Sequence, residues 1–285
     1  MRYDVLMPRR YTLSRCLQTV WIVGWSDFVL KYHGSVLGYL WSLIGPLVKF
    51  IVIYYVTRPF VDAAIPNYPL YLFLGLIIFE HFCNTTTGCV SMLLNKESII
   101  SKMSFPRILL ILIIGWSNLI VYLTYLLVFV AFSILLGVIP TVQYLQIPLL
   151  LLQMTLVALG VGMLISAYSL KFRDTEHLWA LILYVLFWLT PIFYQYRLDA
   201  PLSVSVRTIF ADMSIAPFHA FFNFFIHVQP LSILINDSRR ILLYPDSIGA
   251  PTATHTIVFT GMCMAVFLIG ARVFQSRSRF FVEEY

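Results

Sequence analysis

Two charged side chains stand inside otherwise apolar stretches of the sequence. Lys49 lies within the apolar segment 37–57, and Glu80, followed by His81, lies within the segment 68–90. A charged group at the centre of a membrane helix costs about 2.5–3.5 kcal/mol on insertion scales, so it usually faces a bundle interior or a water-filled cavity. Three interpretations of Lys49 remain open: it faces a polar path and meets an anionic group, it extends toward the outer surface, or it pairs with Glu80.

The sequence lacks the motifs of the common catalytic sites. No glycine is followed by lysine, so the chain has no P-loop to hold the phosphates of ATP. It contains neither H-E-x-x-H nor G-x-S-x-G. Its six histidines show no i, i+4 pair, and its four cysteines form no C-x-x-C. We therefore expect no catalytic residue, metal or cofactor in this chain.

The composition indicates a membrane protein. Of the 285 residues, 60% are hydrophobic and only 11% are charged, and the mean hydropathy is +0.86. A soluble domain is about 45–50% apolar and about 25% charged, so a soluble globular enzyme is excluded. The first residues lack the apolar core and the cleavage site of a signal peptide.

Gaps between charged residues locate six predicted membrane spans. No charged residue occurs from 108 to 170, which is too long for one helix across about 30 Å of hydrocarbon but fits two. Glycine and two prolines within 137–148 mark the break between them. We predict an all-α integral membrane fold. The predicted spans are 37–57, 68–90, 109–136, 148–170, 178–196 and 252–271.

Lysine and arginine predict the orientation. With a cytoplasmic N-terminus, the inner segments hold 13 of these residues and the outer segments hold 5, while Lys49 stays in the membrane. Because inner loops are enriched in lysine and arginine, both termini are predicted to be cytoplasmic.

Two regions are predicted to lie at the membrane without crossing it. Residues 11–32 place Leu17, Trp21, Gly24 and Phe28 on one helical stripe, which predicts an amphipathic helix in the inner interface. The alternative is a half-inserted first span. Residues 197–251 contain apolar runs that are too short to span, which predicts re-entrant or interfacial helices on the outer side. The predicted units are an N-terminal segment 1–34, a transmembrane domain 35–275 and a tail 276–285.

Five short motifs, in order along the chain, carry a family resemblance. Residues 31–46 read KYHGSVLGYLWSLIGP, and Gly75 and Asn84 follow in the second span. The later motifs are SFPR at 104–107, FRD at 172–174 and FWLTPIFY at 187–194. Together they resemble the membrane subunits of bacterial ABC transporters that export polysaccharides, namely the O-antigen and teichoic acid permeases of the ABC-2 family.

The resemblance implies an assembly and a location. It implies a homodimer of this chain with two separate ATPase subunits, which bind the ATP and Mg²⁺ that this chain does not. The implied cargo is a lipid-linked polysaccharide, and the implied location is the cytoplasmic (inner) membrane, surrounded by its lipids. Nucleic acid is not an expected partner. Lys49 would then meet the lipid-linked pyrophosphate or acidic sugars.

Two cytoplasmic loops are predicted to receive the motion of the ATPase. The first, residues 95–107, is short and charged, and Pro106 fixes the direction of the helix that follows. The second is 171–177. The alternatives are a solvated basic loop for the first, and local capping and pairing of Arg173 and Asp174 for the second. The predicted coupling residues are Lys96, Glu97, Ile99, Ile100, Lys102, Phe105, Pro106, Arg107, Phe172, Arg173 and Asp174.

Aromatic residues, 16% of the chain, are predicted to line the path. Sugar C–H faces pack on aromatic rings, and many weak contacts of about 1 kcal/mol allow a polymer to slide. The alternative is that these rings face lipid or the membrane interface. The predicted path residues are Tyr39, Trp41, Lys49, Tyr54, Phe79, Phe82, Tyr184, Phe187, Trp188 and Tyr194.

Arginines that follow a short apolar run predict an outer gate. We expect Asp237, Arg239 and Arg240 to form ion pairs that hold re-entrant helices, or else to lie on a plain surface helix. The predicted gate residues are Pro191, Pro230, Asp237, Arg239 and Arg240.

The sequence leaves three other classes of function as alternatives. An ABC permease for a drug, haem or a lipid is a close alternative, because no single motif encodes the cargo. A secondary transporter would favour internal repeats and midplane charges in broken helices, for which one lysine and one glutamate are thin support. The missing catalytic motifs argue against an intramembrane enzyme.

Overall fold

Eight α-helices make up most of the structure. The computed structural model describes residues 13–34, 38–61, 65–95, 107–169, 172, 174–194, 225–245 and 249–278. Within these ranges the chain is all-helical, without β-strands, and a short 3-10 helix, Val142–Gln146, precedes α5. The helices are α1 Leu13–Tyr32, α2 Leu40–Thr57, α3 Tyr68–Asn95, α4 Arg107–Leu135, α5 Ile147–Ser169, α6 Thr175–Leu189, α7 Pro230–Leu242 and α8 Ala253–Ser278.

Among the residues that the structure describes, four helical segments are long and apolar enough to cross a membrane. They are Leu40–Thr57, Ile108–Leu135, Val142–Ser169 and Ala253–Arg277. These correspond to four of the six predicted spans and make the chain a multi-pass membrane protein. Helix α6 is apolar but shorter. Helix α3 has 28 residues, and its apolar character is interrupted by Glu80, His81 and Asn84.

Three predicted spans have different ends in the structure, and the one predicted at 68–90 continues as a helix to Asn95. The span predicted at 178–196 is a helix that begins at Thr175 and ends at Leu189. Pro191 explains the early end, because proline lacks an N–H and disfavours helical geometry in the residue before it. Thr190 is accordingly extended, with ψ 137°. The last helix continues to Ser278, beyond the predicted limit of 271.

Helix α1 exists as predicted, but its apolar residues are not confined to one stripe. Gly24 is buried against Trp116 of α4, where an added Cβ would lie 2.7 Å from the indole ring. Leu17 and Trp21, which belong to the predicted stripe, are exposed, and so are Ile22 and Trp25 on other faces. The clean division into an apolar and a polar face is therefore not observed.

Small residues allow α5 and α8 to approach most closely. A Cβ added to Gly160 would lie 2.8 Å from backbone atoms of Val266 and Phe267, and one added to Gly270 would clash with the backbone of Gly160. Glycine at such a crossing lets two membrane helices pack backbone to backbone. At this crossing the backbones of α5 and α8 are in direct contact.

A proline inside α2 is compensated by a neighbouring helix. Pro46 cannot donate to the carbonyl of Ser42, four residues earlier. The hydroxyl of Tyr125 on α4 donates to that carbonyl instead, at 2.8 Å. An unsatisfied carbonyl in hydrocarbon is costly, so this bond replaces the helical hydrogen bond that Pro46 cannot make and attaches α2 to α4.

Candidate functional site

Lys49 and Glu80 form an ion pair that joins α2 to α3. Lys49 Nζ lies 3.2 Å from Glu80 Oε2, and the side chains are 42% and 25% exposed. The ammonium group also lies 4.9 Å from the ring centroid of Phe187 on α6. Of the three interpretations of Lys49, the structure shows pairing with Glu80. Because both groups are partly exposed, the pair borders an accessible surface where three helices meet.

Aromatic rings continue from this pair along α6 to its C-terminal end. Phe187 packs edge to face on Trp188, with ring centroids 5.6 Å apart. Trp188 packs on Phe193 at 5.4 Å, and Phe193 packs on Tyr194 at 5.3 Å. These four rings form a continuous cluster, which we call the aromatic ladder. Edge-to-face packing holds the rings in place without covering all of their faces.

The predicted path residues divide by burial. Trp41, Tyr184 and Trp188 are more than half exposed, at 56%, 67% and 54%. Tyr39, Tyr54, Phe187 and Tyr194 are partly buried.

Phe79 and Phe82 are buried, which does not fit the prediction that their own surfaces line a path. Phe79 packs under Phe187 at 5.4 Å, and Phe82 packs on Trp179 at 6.2 Å. Both rings belong to α3 and pack against the side of α6 that faces the interior of the protomer.

A buried arginine holds the turn that follows α6. Residues 190–194, which we call the outer turn, leave helical geometry at Pro191. Arg239 of α7 is fully buried and donates from Nη1 to the carbonyl of Pro191 and from Nη2 to that of Ile192, both at 2.7 Å. Nη2 also donates to the carbonyl of Tyr71 at 3.1 Å. Carbonyl oxygens thus take the place of a carboxylate partner.

Tyrosines of α3 satisfy the remaining carbonyls of the outer turn. The hydroxyl of Tyr68 donates to the carbonyl of Phe193 at 3.2 Å, and that of Tyr71 donates to Tyr194 at 2.9 Å. All four carbonyls from 191 to 194 therefore accept a side-chain hydrogen bond. Irregular backbone at membrane depth is tolerated where protein groups satisfy it in this way.

Gly75 provides the space for the guanidinium group. A Cβ at this position would lie 2.8 Å from Arg239 Nη2. On its other side the guanidinium stacks on Tyr71, at 3.3 Å from the ring centroid. Arg239 was a predicted gate residue, but its partners were not found from the sequence, because backbone carbonyls carry no residue-type signal.

The other predicted gate residues make separate contacts. The expected ion pairs among Asp237, Arg239 and Arg240 are not observed, and the surface-helix alternative also fails because α7 is largely buried. Asp237 lies 3.5 Å from Nδ1 of His255, and Arg240 Nε donates to the carbonyl of Gly249 at 3.1 Å.

Asp237 is strained electrostatically by its surroundings. Burial raises the pKa of Asp237 from 3.8 to about 7, although the nearby Arg240 opposes this shift.

Pro230 is the first residue of α7, a position where proline costs no helical hydrogen bond.

The N-terminal end of α6 is attached to α3. Ser91 Oγ donates to Glu176 Oε1 at 2.8 Å, and the indole N–H of Trp179 donates to Thr86 Oγ1 at 3.1 Å. Neither contact was predicted.

Most predicted coupling residues lie outside the described residues. This applies to Lys96, Glu97, Ile99, Ile100, Lys102, Phe105, Pro106 and Arg173. Arg107 begins α4. Phe172 is 56% exposed, and Asp174 precedes the first residue of α6.

These features define an all-helical, multi-pass membrane protein whose charged and aromatic side chains gather where α2, α3 and α6 meet. The chain belongs to the ABC-2 type transporter family, because residues 18–201 match the sequence pattern of that family. This match confirms the resemblance inferred from the five motifs.

Three curated relatives agree with this family. Two proteins of Klebsiella pneumoniae, each named O-antigen export system permease protein RfbA, are 28% identical over 193 residues and 29% identical over 190 residues. These alignments cover 66% and 65% of this chain and 73% and 72% of the relatives. A Myxococcus xanthus protein of the same name is 26% identical over 164 residues, which is 58% of this chain and 63% of that relative.

Proposed function

We propose that this chain is the permease subunit of an ABC transporter that moves a lipid-linked polysaccharide outward across the cytoplasmic membrane. Two copies would form the pore, and two separate ATPase subunits would bind and hydrolyse ATP with Mg²⁺. The family match and the names of the relatives support this class. The structural observation that carries the proposal is the exposed aromatic surface of α6 beside the Lys49–Glu80 pair.

The proposed topology has six crossings and cytoplasmic termini. Helix α3 has 28 residues and is about 42 Å long, which exceeds the hydrocarbon thickness of about 30 Å. Its polar residues then face protein or the path. Helix α6 and the outer turn together would form the fifth crossing. Helix α7 would lie at the outer side as the re-entrant element, and α1 at the inner interface.

The aromatic ladder suits a polymer that must keep moving. Each sugar contact with a ring is worth on the order of 1 kcal/mol, so no single contact holds the chain. Trp188 and Tyr184 present open faces on α6, and Trp41 presents one on α2. A series of similar weak sites gives a smooth free-energy profile, whereas one tight site would stall transport.

The Lys49–Glu80 pair supplies polarity to the same surface. Within reach of an anionic group, the ammonium of Lys49 would exchange the Glu80 carboxylate for that group. The partial exposure of both side chains makes such an exchange sterically possible. The pyrophosphate of the carrier lipid and acidic sugars are the proposed anionic partners.

Coupling is proposed to reach the path through α6. Its first residue follows directly on the loop that contains Phe172 and Asp174, which in this topology faces the ATPase. Glu176 and Trp179 attach α6 to α3. Movement of either cytoplasmic loop would therefore shift α3 and α6 together, while the outer turn remains bound to Arg239.

Export by variants in cells that lack the native gene tests this function. Lys49→Met should lower surface polysaccharide about tenfold without lowering membrane abundance, because it removes the cation but leaves a side chain of similar length. Lys49→Arg, which keeps the charge, should restore most of the export.

Two results would contradict the proposal. One is unchanged surface polysaccharide in cells that lack the gene, which would remove the proposed function. The other is full export by Lys49→Met, which would remove Lys49 from the path. Affinity purification of the intact complex adds an independent check, because an ATPase subunit should be recovered with the chain.

A further inference from the structure

A cavity of about 300 Å³ lies beside the Lys49–Glu80 pair, between α2, α3 and α4. Trp41 and Gly45 line it from α2, next to Pro46. Glu80 and Asn84 line it from α3, and Asn118 lines it from α4. In the proposed topology the cavity lies in the inner half of the membrane. Small-molecule pockets measure about 300–1,000 Å³, so this cavity suits a small ligand and not a length of polymer.

Several polar groups of the wall have incomplete hydrogen bonding. Asn118 donates its amide hydrogen to the carbonyl of Asn84 at 3.2 Å, which leaves its own amide oxygen. Only the backbone of Asn84 takes part in that bond, so its carboxamide has no partner among the described residues. Glu80 uses one carboxylate oxygen for Lys49. Glu80 and Asn84 are partly exposed, so an occupant with hydroxyl groups can bind to them.

A buried histidine, His81, is a further polar side chain in the wall of the cavity. His81 is 2% exposed, and neither ring nitrogen makes a hydrogen bond of good geometry with a described residue, although the backbone of Asn118 lies close to the ring. Its ring stacks on Tyr122, with centroids 4.6 Å apart. The wall therefore combines unpaired donors and acceptors with the indole of Trp41, a combination that matches the hydroxyl groups and the C–H face of a sugar ring.

The charges of the wall favour a neutral ligand. One lysine, Lys31, and one carboxylate, that of Glu80, line the cavity. Lys31 already has an interaction within the protein, and Lys49 is engaged by Glu80. While Lys49 is paired with Glu80, a phosphate inside the cavity would meet that carboxylate. An anionic group that displaces Glu80 from Lys49 would bind at Lys49, which does not line the cavity. An acyl chain would leave the two asparagines unpaired.

We propose that this cavity is a binding site for one neutral sugar unit of the polymer, held by Asn84, Asn118 and Glu80 against Trp41. The inference rests on the proposed function and adds a specific inner subsite to it. The subsite holds one ring while the next rings pass along the aromatic ladder. Its small size limits it to one unit, so it does not trap the polymer as a whole.

Filling the cavity from a glycine tests the subsite. A Cβ added to Gly45 meets no atom within 4 Å, so Gly45→Val introduces bulk without a clash. Gly261→Val on α8 is the matched control, because its Cβ also meets nothing and it lies away from the cavity. We expect Gly45→Val to lower surface polysaccharide about tenfold at equal membrane abundance, and Gly261→Val to export normally. Normal export by Gly45→Val would overturn the subsite.

Cross-linking tests occupancy even where a variant accumulates poorly. A photoreactive diazirine amino acid replaces Val121, which lines the cavity, or Leu123, which is 40% exposed two residues along α4. Cells producing the polymer are irradiated, and the intact complex is purified and probed with an antibody against the polymer. An adduct at 121 and none at 123 supports the subsite. Adducts of equal yield at both positions, or adducts with phospholipid alone, would overturn it.

The two proposals fail in distinguishable ways. If cells without the gene keep their surface polysaccharide, the proposed function is wrong. If those cells lose it, while Gly45→Val restores it fully and position 121 gives no polymer adduct, the function stands and the sugar subsite is wrong. The double variant Asn84→Ala/Asn118→Ala, with the neighbouring Ser117→Ala as control, should follow Gly45→Val.

Discussion

Helices α5 and α2 are both apolar enough to cross a membrane, yet they are used in opposite ways. In the segment that contains α5, 61% of the residues of its most apolar stretch are buried within the protomer, whereas in α2 only 6% are. Helix α5 crosses α8 on Gly160 and Gly270, backbone against backbone. Helix α2 instead leaves Trp41, Val52 and Tyr55 exposed.

The residue types explain this difference. Small residues allow close packing and so build a rigid scaffold. Large aromatic residues at exposed positions, as on α2 and α6, supply surfaces for lipid, a second copy or a ligand. A path for a moving polymer needs a rigid scaffold, here the packed helices α5 and α8. It also needs exposed side chains that the polymer can contact, here those of α2 and α6 beside the Lys49–Glu80 pair. Substitutions in the scaffold should therefore impair folding, whereas substitutions on the exposed aromatic surface should impair export.

The largest effect is expected at the α5–α8 crossing. Gly270→Val places a side chain against the backbone of Gly160, and backbone cannot move aside as a flexible side chain can. Overpacking costs about 1–3 kcal/mol where side chains adjust and more where they cannot. We expect the variant to be nearly absent from membranes by quantitative immunoblot, while Gly261→Val on the same helix accumulates normally. Normal accumulation of Gly270→Val would show that the crossing is not tight.

The next largest effect is expected at the outer turn. Arg239→Met leaves the carbonyls of Pro191, Ile192 and Tyr71 without their donor, and each unsatisfied buried group costs about 1–3 kcal/mol. Removal of the buried charge offsets part of this, so we expect a loss of about 3 kcal/mol in the free energy of unfolding.

Arg240→Met is the control for Arg239→Met. Arg240 makes one bond, to the carbonyl of Gly249, and is only partly buried, so its loss should cost about 1 kcal/mol or less. Unfolding of the purified complex in detergent, followed by the fluorescence of its tryptophans, measures both variants. An equal loss of unfolding free energy in the two variants would show that the three carbonyl contacts of Arg239 stabilise the fold no more than the single contact of Arg240.

A moderate, pH-dependent effect is expected at Asp237. Its pKa is raised from 3.8 to about 7, so the folded state binds a proton that the unfolded state releases between these values. Stability should therefore fall as pH rises from about 4 to 7, by up to about 1.4 kcal/mol per pH unit, and level off above 7. Asp237→Asn should flatten this slope when the unfolding temperature is measured at pH 5, 6, 7 and 8. An unchanged slope would assign it to other groups.

The smallest effect on folding, with a clear effect on export, is expected on the aromatic ladder. Trp188→Ala removes a half-exposed ring and contacts worth about 0.5–1.5 kcal/mol, so membrane abundance should hardly change while surface polysaccharide falls severalfold. Trp179→Phe is the counterpart, because it removes the bond to Thr86 from a buried ring. It should lower stability by about 1 kcal/mol and change export per folded molecule little, because the bond between Ser91 and Glu176 still joins α3 to α6. The reverse pattern would exchange the roles of the two rings.

Sequence reasoning located the helices better than their contacts. Charge gaps and prolines place most spans within a few residues, because hydrophobic length and helix breaking are local properties. The early end of α6 was missed because 178–196 is uninterrupted by charge, although Pro191 carried the signal. The Lys49–Glu80 pair was one of three open interpretations, since spacing along the chain does not fix which helices are neighbours.

The contacts that were missed depend on tertiary packing. The Arg239 bonds go to backbone carbonyls, which every residue has. The burial of Phe79 and Phe82 follows from the central position of α3, and hydrophobicity alone does not distinguish a ring that faces a path from one beneath it. Gly75 is a glycine in an apolar helix and part of a family motif, but its role becomes clear only when the guanidinium is seen beside it.

The central claim is that this chain supplies a path and a separate ATPase supplies the energy. The most direct measurement uses sealed proteoliposomes that contain the chain and its ATPase subunit, with lipid-linked polysaccharide on the ATPase side and an added glycosidase as the probe. The account predicts that polymer becomes protected from the glycosidase only when both subunits and ATP with Mg²⁺ are present. Equal protection by the chain alone, or without ATP, would contradict it.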